Sequence, residues 1–103
     1  MKIIKTKFDG LYVFQGEIFK DKRGFLREIF KKKLIKDRMV FSVVSSSKKN
    51  VIRGLHFQKR NSQAKFVTVI KGEILDVAVD LRKNSKTFGK YYKIILNEKN
   101  SKF

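Results

Sequence analysis

The chain has 103 residues, 42% of them hydrophobic, and 26 basic against nine acidic residues give it a formal net charge of +17. This length supports one domain at most, and we expect residues 1–103 to form a single domain. The absence of cysteine excludes disulfides and thiolate metal sites. Because no apolar run approaches the ~20 residues that span a bilayer, and no signal peptide is visible, we expect a soluble, cytoplasmic protein.

The positive charge would attract polyanions, including nucleic acid. Twenty of the 26 basic residues are lysines, however, and apart from the run at 31–33 they are spread along the chain. We therefore do not expect a dedicated nucleic-acid surface. A site for a small anion, such as a nucleotide diphosphate, fits the charge equally well.

Most of the chain is predicted to form short strands, since runs of β-branched and aromatic residues alternate with polar turns. A turn is predicted at 21–24, a short helical turn within 31–38, and a two-residue hairpin turn at Lys71-Gly72. The predicted strands cover residues 11–19, 24–30, 39–45, 51–58, 64–70, 73–81 and 88–96. This pattern of closely spaced strands predicts an all-β sandwich or barrel.

Two carboxylates stand on one face of the predicted strand 73–81. Asp76 and Asp80 share that face by period two, together with the apolar Ile74 and Ala78. Such carboxylates are either hydrogen-bonded structural groups or members of a site, and the sequence leaves both interpretations open. No loop of carboxylates typical of a Mg²⁺ or Ca²⁺ site is visible, so we expect no metal.

The only histidine, His56, lies in a segment rich in candidate site residues. A single histidine excludes a multi-histidine metal site and is most often structural. Here the positive charges of Arg53 and Lys65 would favour a neutral imidazole, which is a competent general base near pH 7. Arg53 offers a fork for phosphate, and Lys65 a point charge for a developing oxyanion. Because Arg53 and His56 fall on opposite faces of a regular strand, their convergence would need a bulge, for which Gly54 is suited.

Five blocks of sequence resemble, in matching order, the motifs of the dTDP-4-dehydrorhamnose 3,5-epimerase family. The resemblance extends from about residue 11 to the end, and the blocks are Asp21-x-Arg23-Gly24-Phe25-Leu26-x-Glu28, Val51-Ile52-Arg53-Gly54-Leu55-His56-Phe57-Gln58, Gln63-Ala64-Lys65, Asp76-Val77-Ala78-Val79-Asp80-Leu81-Arg82 and Ser85-x-Thr87-Phe88-Gly89. The resemblance implies a cupin-type double-stranded β-helix (a jelly roll). It also implies an isomerase that inverts C3 and C5 of a dTDP-linked 4-keto-6-deoxy sugar, without metal or organic cofactor.

The resemblance further implies a role for each matching residue. His56 would be the catalytic base and Lys65 the cation that faces the developing oxyanion at C4. The substrate-binding residues would be Arg23, Phe25, Glu28, Arg53, Gln58 and Asp80, with Asp80 a better match to the family's pocket position than Asp76. Family members usually form homodimers that exchange N-terminal strands, and Arg23 could then serve the neighbouring subunit's site.

Two features depart from the family pattern. Phe41 and Val43 stand where the family usually carries Gln and Asn, which removes polar contacts to the substrate. The family also continues beyond the equivalent of Phe103, into strands that hold the tyrosine acid and the aspartate that orients the base. From these departures we expect a jelly roll that is incomplete at its C-terminus, with exposed sheet edges and weak or absent activity. The alternative is a non-catalytic, basic jelly-roll module that binds a nucleotide-sugar or nucleic acid.

Overall fold

A computed structural model describes residues 1–103, and its six strands form three antiparallel hairpins. The hairpins are β1 (Lys2–Lys5) with β2 (Tyr12–Gln15), β3 (Ile18–Asp21) with β4 (Gly24–Arg27), and β5 (Glu73–Val79) with β6 (Tyr91–Asn97). The one helical element is a 3-10 turn at Lys32–Leu34, within the predicted helical turn. None of the helical structure is long and apolar enough to cross a bilayer. The predicted all-β class is confirmed.

The predicted strand 11–19 divides at Gly16 because the end of the chain packs closely there. A β carbon on Gly16 would come within 2.9 Å of both the Phe103 ring and the Ser101 hydroxyl. Residues 101–103 run beside β2, where Phe14 and Phe103 exchange two main-chain hydrogen bonds of 3.0 Å each. β2 is therefore flanked by β1 on one side and by the C-terminal residues on the other.

A small aromatic core forms next to this junction. Phe14, Ile35 and Phe103 are buried together. The Phe66 ring lies 5.5 Å from the Phe14 ring and 5.8 Å from the Phe103 ring, measured between centroids. Such ring pairs add stabilisation beyond the burial of their apolar area. The core thus connects β2, the end of the chain and the segment that contains Phe66.

Three predicted strands are absent, so the predictions for 39–45, 51–58 and 64–70 are wrong. The segments have strand-like composition, but no other segment of residues 1–103 pairs with them, and a strand requires a hydrogen-bonded neighbour. Many of their apolar side chains are consequently exposed, with Ile52 at 93% and Val43 at 78%. Exposed sheet edges, as expected, are also present, because each of the three sheets has only two strands.

The hairpin turn predicted at Lys71-Gly72 is wrong for the same reason, because residues 64–70 form no strand before it. Gly72 instead contacts the residue that follows β6. Its amide donates to the Glu98 carboxylate at 3.0 Å, and its carbonyl accepts from the Glu98 amide at 3.3 Å. These bonds extend the β5–β6 pairing by one residue beyond Glu73.

The connection between β5 and β6 is organised around the buried carboxylate of Asp80. This carboxylate accepts from the amide (3.0 Å) and the guanidinium (2.8 Å) of Arg82, from Ser85 Oγ (2.6 Å) and from Thr87 Oγ1 (2.7 Å). The Arg82 guanidinium, with help from the two hydroxyls, holds the pKa of Asp80 far below its usual range. Of the two interpretations that the sequence left open, the structure supports the structural one for Asp80.

We expect Asp80→Asn to lower the midpoint of thermal unfolding by roughly 5–10 °C, because the amide cannot accept from all of these donors. Circular dichroism or differential scanning fluorimetry would measure this shift. Asp76→Asn is the matched control, since Asp76 lies half-buried on β5, four residues before Asp80, and it should shift the midpoint much less. Equal shifts in the two variants would contradict the structural role of Asp80.

The depressed pKa of Asp80 also predicts how stability depends on pH. In the unfolded chain an aspartate titrates at about 3.9, so the contribution of Asp80 is complete above about pH 5. As pH falls below that range, the unfolded state takes up a proton before the folded state does, and stability is lost. Unfolding midpoints measured from pH 7 down to pH 3 should therefore fall less steeply in Asp80→Asn than in the wild type. Parallel curves would show that another group causes the acid sensitivity.

Candidate functional site

Arg53 is held by the serines that precede it in the chain. Its Nε donates to the Ser47 hydroxyl at 2.9 Å, and a terminal nitrogen donates to the Ser46 carbonyl at 3.2 Å. A guanidinium has five N–H donors, so three remain for another acceptor. The side chain is exposed. This arrangement leaves Arg53 oriented and available to an anion, as phosphate binding requires.

The imidazole of His56 lies over Gly54. Gly54 has a φ of 100°, a conformation that favours glycine. A β carbon there would come within 3.4 Å of His56 Nδ1 and 3.3 Å of the His56 amide nitrogen. Because residues 51–58 are unpaired, Gly54 does not form the predicted bulge, and its positive φ stands in a segment without a ladder. His56 is exposed, and neither of its ring nitrogens forms a hydrogen bond within the chain.

Lys65 lines a groove of about 90 Å³ that runs between β2 and the β5–β6 hairpin. Asp76 lines the same groove, and these two are its only charged members. The other lining residues are Leu11, Tyr12, Val13, Phe14, Phe66, Val67, Ala78, Tyr92, Ile94, Leu96 and Phe103. The sequence ranked Asp80 above Asp76 as a pocket residue, whereas the structure places Asp76 beside the groove of Lys65. For Asp80, whose carboxylate is engaged within its turn, the geometry gives no support to the predicted substrate contact.

A larger concavity, of about 370 Å³, lies on the β3–β4 hairpin. It is lined by Phe19, Lys20, Asp21, Arg23, Gly24, Phe25 and Leu26. Arg23 stands at the tip, where its guanidinium donates to Asp21 at 2.6 and 3.1 Å. These bonds hold the pKa of the Asp21 carboxyl below its usual value. An exposed phenylalanine can stack on a planar ring of a ligand, and a guanidinium beside it can bind an anionic group that the ring carries.

The remaining predicted residues lie apart from these features. Glu28 accepts from the Lys31 ammonium at 2.9 Å, and this hydrogen bond lowers the pKa of the Glu28 carboxyl. The N-terminal ammonium of Met1 stands 3.7 Å from the same carboxylate. Gln58 is exposed. Among the eight predicted site residues no two are joined by a hydrogen bond, and the roles assigned to them from sequence stay predictions.

Sequence reasoning did not single out Arg27, the last residue of β4. Its guanidinium donates to the carbonyls of Val69 at 2.6 Å and Glu98 at 2.9 Å. A charged residue among apolar strand neighbours can indicate an internal partner. In this case the acceptors are main-chain carbonyls, which no side-chain pattern reveals.

The structure brings together no group of three or more histidine, aspartate or glutamate side chains.

Comparison with known proteins relates this arrangement to one enzyme family. The sequence model of the dTDP-4-dehydrorhamnose 3,5-epimerase family matches residues 5–103. The dTDP-4-dehydrorhamnose 3,5-epimerase of Methanothermobacter thermautotrophicus is 42% identical over 104 residues, which cover 96% of this chain and 56% of that protein.

Solved structures agree with the sequence matches. The dTDP-6-deoxy-D-glucose-3,5-epimerase of Legionella pneumophila, in complex with dTDP-4-keto-L-rhamnose, is similar with a TM-score of 0.90 and 42% identity, over 98% of this chain and 57% of that one. The dTDP-4-dehydrorhamnose 3,5-epimerase of Bacillus anthracis, with TDP and pyrophosphate bound, is similar with a TM-score of 0.89 and 39% identity, over 98% and 62%.

The chain thus spans between 56% and 62% of the length of these three proteins. At these TM-scores the similarity confirms the predicted cupin-type jelly-roll class, of which the chain contains the part described above. The sequence match reaches from residue 5 to the end, so it includes all five motif blocks. The chain belongs to the dTDP-4-dehydrorhamnose 3,5-epimerase family.

Proposed function

We propose that this chain acts on a dTDP-linked 4-keto-6-deoxy sugar and removes the protons at C3 and C5, the carbons on either side of the C4 ketone. The observation that carries the proposal is the similarity to the Legionella pneumophila enzyme, which was solved with dTDP-4-keto-L-rhamnose bound. Across 98% of this chain that similarity amounts to 42% identity. The cytoplasmic location expected from the sequence stays a prediction.

The proposed chemistry needs two groups near the sugar. A proton on a carbon beside a ketone is acidic enough to be taken by a neutral imidazole, and His56, the only histidine of the chain, would accept it on a ring nitrogen. When the proton leaves, negative charge develops on the ketone oxygen, where the Lys65 ammonium would stabilise it. This pair supplies the charge that an enolate requires, so we propose that the step uses neither metal nor organic cofactor.

Binding of the nucleotide is assigned to the residues that stay available in the structure. Arg53 has three unused donors and suits the pyrophosphate. The concavity of about 370 Å³ with Arg23 and Phe25 falls within the rough size range of small-molecule sites, at 300–1,000 Å³. Since catalytic contacts often tighten only when substrate is bound, separation of these groups in the structure is compatible with the proposal.

We propose in addition that the chain assembles as a homodimer. Support comes from the large number of exposed apolar side chains, which on soluble proteins mark interaction surfaces. β1 carries two of them, Ile3 at 44% and Ile4 at 47% exposure. In the structure β1 pairs with β2 of its own chain, and only one edge of β1 is occupied. In a dimer that exchanges N-terminal strands, β1 would pair with the neighbouring subunit.

The proposed proton abstraction can be tested by incubating the chain with dTDP-4-keto-6-deoxyglucose in D₂O and following deuterium uptake at C3 and C5 by NMR. We expect measurable uptake in the wild type. In His56→Ala the uptake should fall by a factor of about 10² or more, which is the usual size of general-base catalysis.

A matched pair of lysine variants tests the second group. Lys65→Met should lower the rate of uptake at saturating substrate, whereas Lys59→Met, at an exposed position between His56 and Lys65, should leave it unchanged. Absence of uptake from folded wild-type protein would refute the proposed chemistry and favour the binding-module alternative. An equal fall in the rate of uptake in the two lysine variants would show that the rate depends on the overall positive charge and not on Lys65 in particular.

The homodimer can be tested by sedimentation equilibrium. We expect a dimer for the wild type, and a shift towards monomer in Ile3→Lys, because a charge would be buried at the interface that β1 helps to form. Ile52→Lys is the matched control, as it changes an apolar residue that is 93% exposed and lies outside β1. A wild-type monomer at all concentrations would contradict the homodimer, and a larger effect of Ile52→Lys would place the interface away from β1.

A further inference from the structure

A single side chain forms all the hydrogen bonds between the β3–β4 hairpin and the rest of the chain. Arg27 donates through one terminal nitrogen to the carbonyl of Glu98 (2.9 Å) and through the other to the carbonyls of Val69 (2.6 Å) and Ile70 (3.3 Å). The other side-chain hydrogen bonds of the hairpin join Arg23 to Asp21 and stay inside it. No main-chain hydrogen bond leads from β3 or β4 to the rest of the chain.

The three acceptors of Arg27 meet at one junction of the fold. Val69 and Ile70 end the segment that carries Lys65, and Glu98 directly follows β6. Glu98 is itself bonded in both directions to Gly72, just before β5. Arg27 therefore joins three parts of the molecule: the β3–β4 hairpin, the Lys65 segment and the β5–β6 hairpin.

The chemistry of arginine suits this position. Its planar fork can serve acceptors on two sides at once, and its charge strengthens each hydrogen bond. The guanidinium is half-buried and Val69 is 7% exposed, so water competes less for these carbonyls than on an open surface. A lysine would offer one point charge and could not span from Val69 to Glu98 with the same geometry.

We infer that Arg27 is a positioning residue, which sets the β3–β4 hairpin and its Arg23 and Phe25 against the segment that carries Lys65. The inference rests on the proposed function and deepens it. Arg27 contacts no reacting atom in this scheme and acts through the hairpin, whose concavity of about 370 Å³ is the larger candidate site for the nucleotide. Loss of the anchor should therefore weaken substrate binding while the proton-abstracting groups stay in place.

Arg27→Met and Arg27→Lys test this inference, with Arg38→Met as the matched control at an exposed arginine outside the strands. Deuterium uptake at C3 and C5 gives KM and kcat for each. In Arg27→Met we expect KM to rise about tenfold while kcat stays within about twofold, the signature of lost binding rather than lost transition-state stabilisation. In Arg27→Lys the KM should lie between those of Arg27→Met and the wild type. Arg38→Met should have the KM and kcat of the wild type.

A second measurement reports the position of the hairpin without relying on activity. The chain has no cysteine, so spin labels can be attached at Lys22→Cys on the hairpin tip and Lys93→Cys on β6. Their distance distribution should be narrow in the wild-type background, broad with Arg27→Met and intermediate with Arg27→Lys. Labels of this kind report separations directly, whatever the catalytic state of the chain.

The two measurements separate the inference from the function on which it rests. If Arg27→Met broadens the distance distribution while the wild type shows no deuterium uptake, the role of Arg27 as an anchor is supported and the proposed chemistry is refuted. An unchanged distance distribution in Arg27→Met would overturn the inference, and so would a fall in kcat with an unchanged KM. If Arg27→Met does not fold, Arg27→Lys decides: a broader distribution with a raised KM supports the anchor, and wild-type values for both overturn it.

Discussion

The structure depends on the pairing of β2 with the last three residues of the chain. Phe14 and Phe103 exchange two main-chain hydrogen bonds, and Gly16 accepts the close approach of the same segment. Among the strand pairings, this one alone brings the two ends of the sequence together, because every other ladder is a local hairpin. The aromatic cluster around Phe66 packs on it, and the Lys65 groove lies beside it. Loss of the pairing would leave three hairpins without a shared core.

The residues proposed to bind or act on substrate lie on parts of the molecule that differ greatly in how many internal hydrogen bonds hold them. The Asp80 turn is closed by a buried carboxylate with charged and hydroxyl donors, and it carries no predicted chemistry beyond Asp80 itself. The segment with Arg53 and His56, by contrast, is unpaired, and the bonds from Arg53 to its two serines are its main internal support. Segments of low local stability are the ones that commonly move when ligand binds. Binding of the proposed substrate should therefore order this segment.

The distribution of charge fits an anionic ligand. The nine acidic residues are few, and several of them are neutralised within the structure: Asp21 by Arg23, Glu28 by Lys31 and Asp80 by Arg82. Most of the positive charge stays uncompensated, so the surface potential favours the approach of a pyrophosphate. Among these cations, Arg53 is oriented by two hydrogen bonds and keeps three free donors. Specific binding would come from such fixed geometry and not from the net charge.

Local features of this protein were determined by the sequence alone: the all-β class, the turn at 21–24 and the motif blocks that identify the family. Each depends on neighbours within a few residues, where side-chain alternation and glycine conformation act directly. Tertiary structure decided the rest. Segments 39–45, 51–58 and 64–70 have strand-like patterns but no partner. The Asp80 carboxylate is buried and closes a local turn with Arg82, Ser85 and Thr87, whereas Asp76 lies half-buried beside the groove of Lys65. The carbonyls that Arg27 binds belong to residues 42 to 71 positions away, and main-chain acceptors leave no pattern in the sequence. Strand pairing and main-chain contacts are set by what the fold brings together, so only the structure could show them.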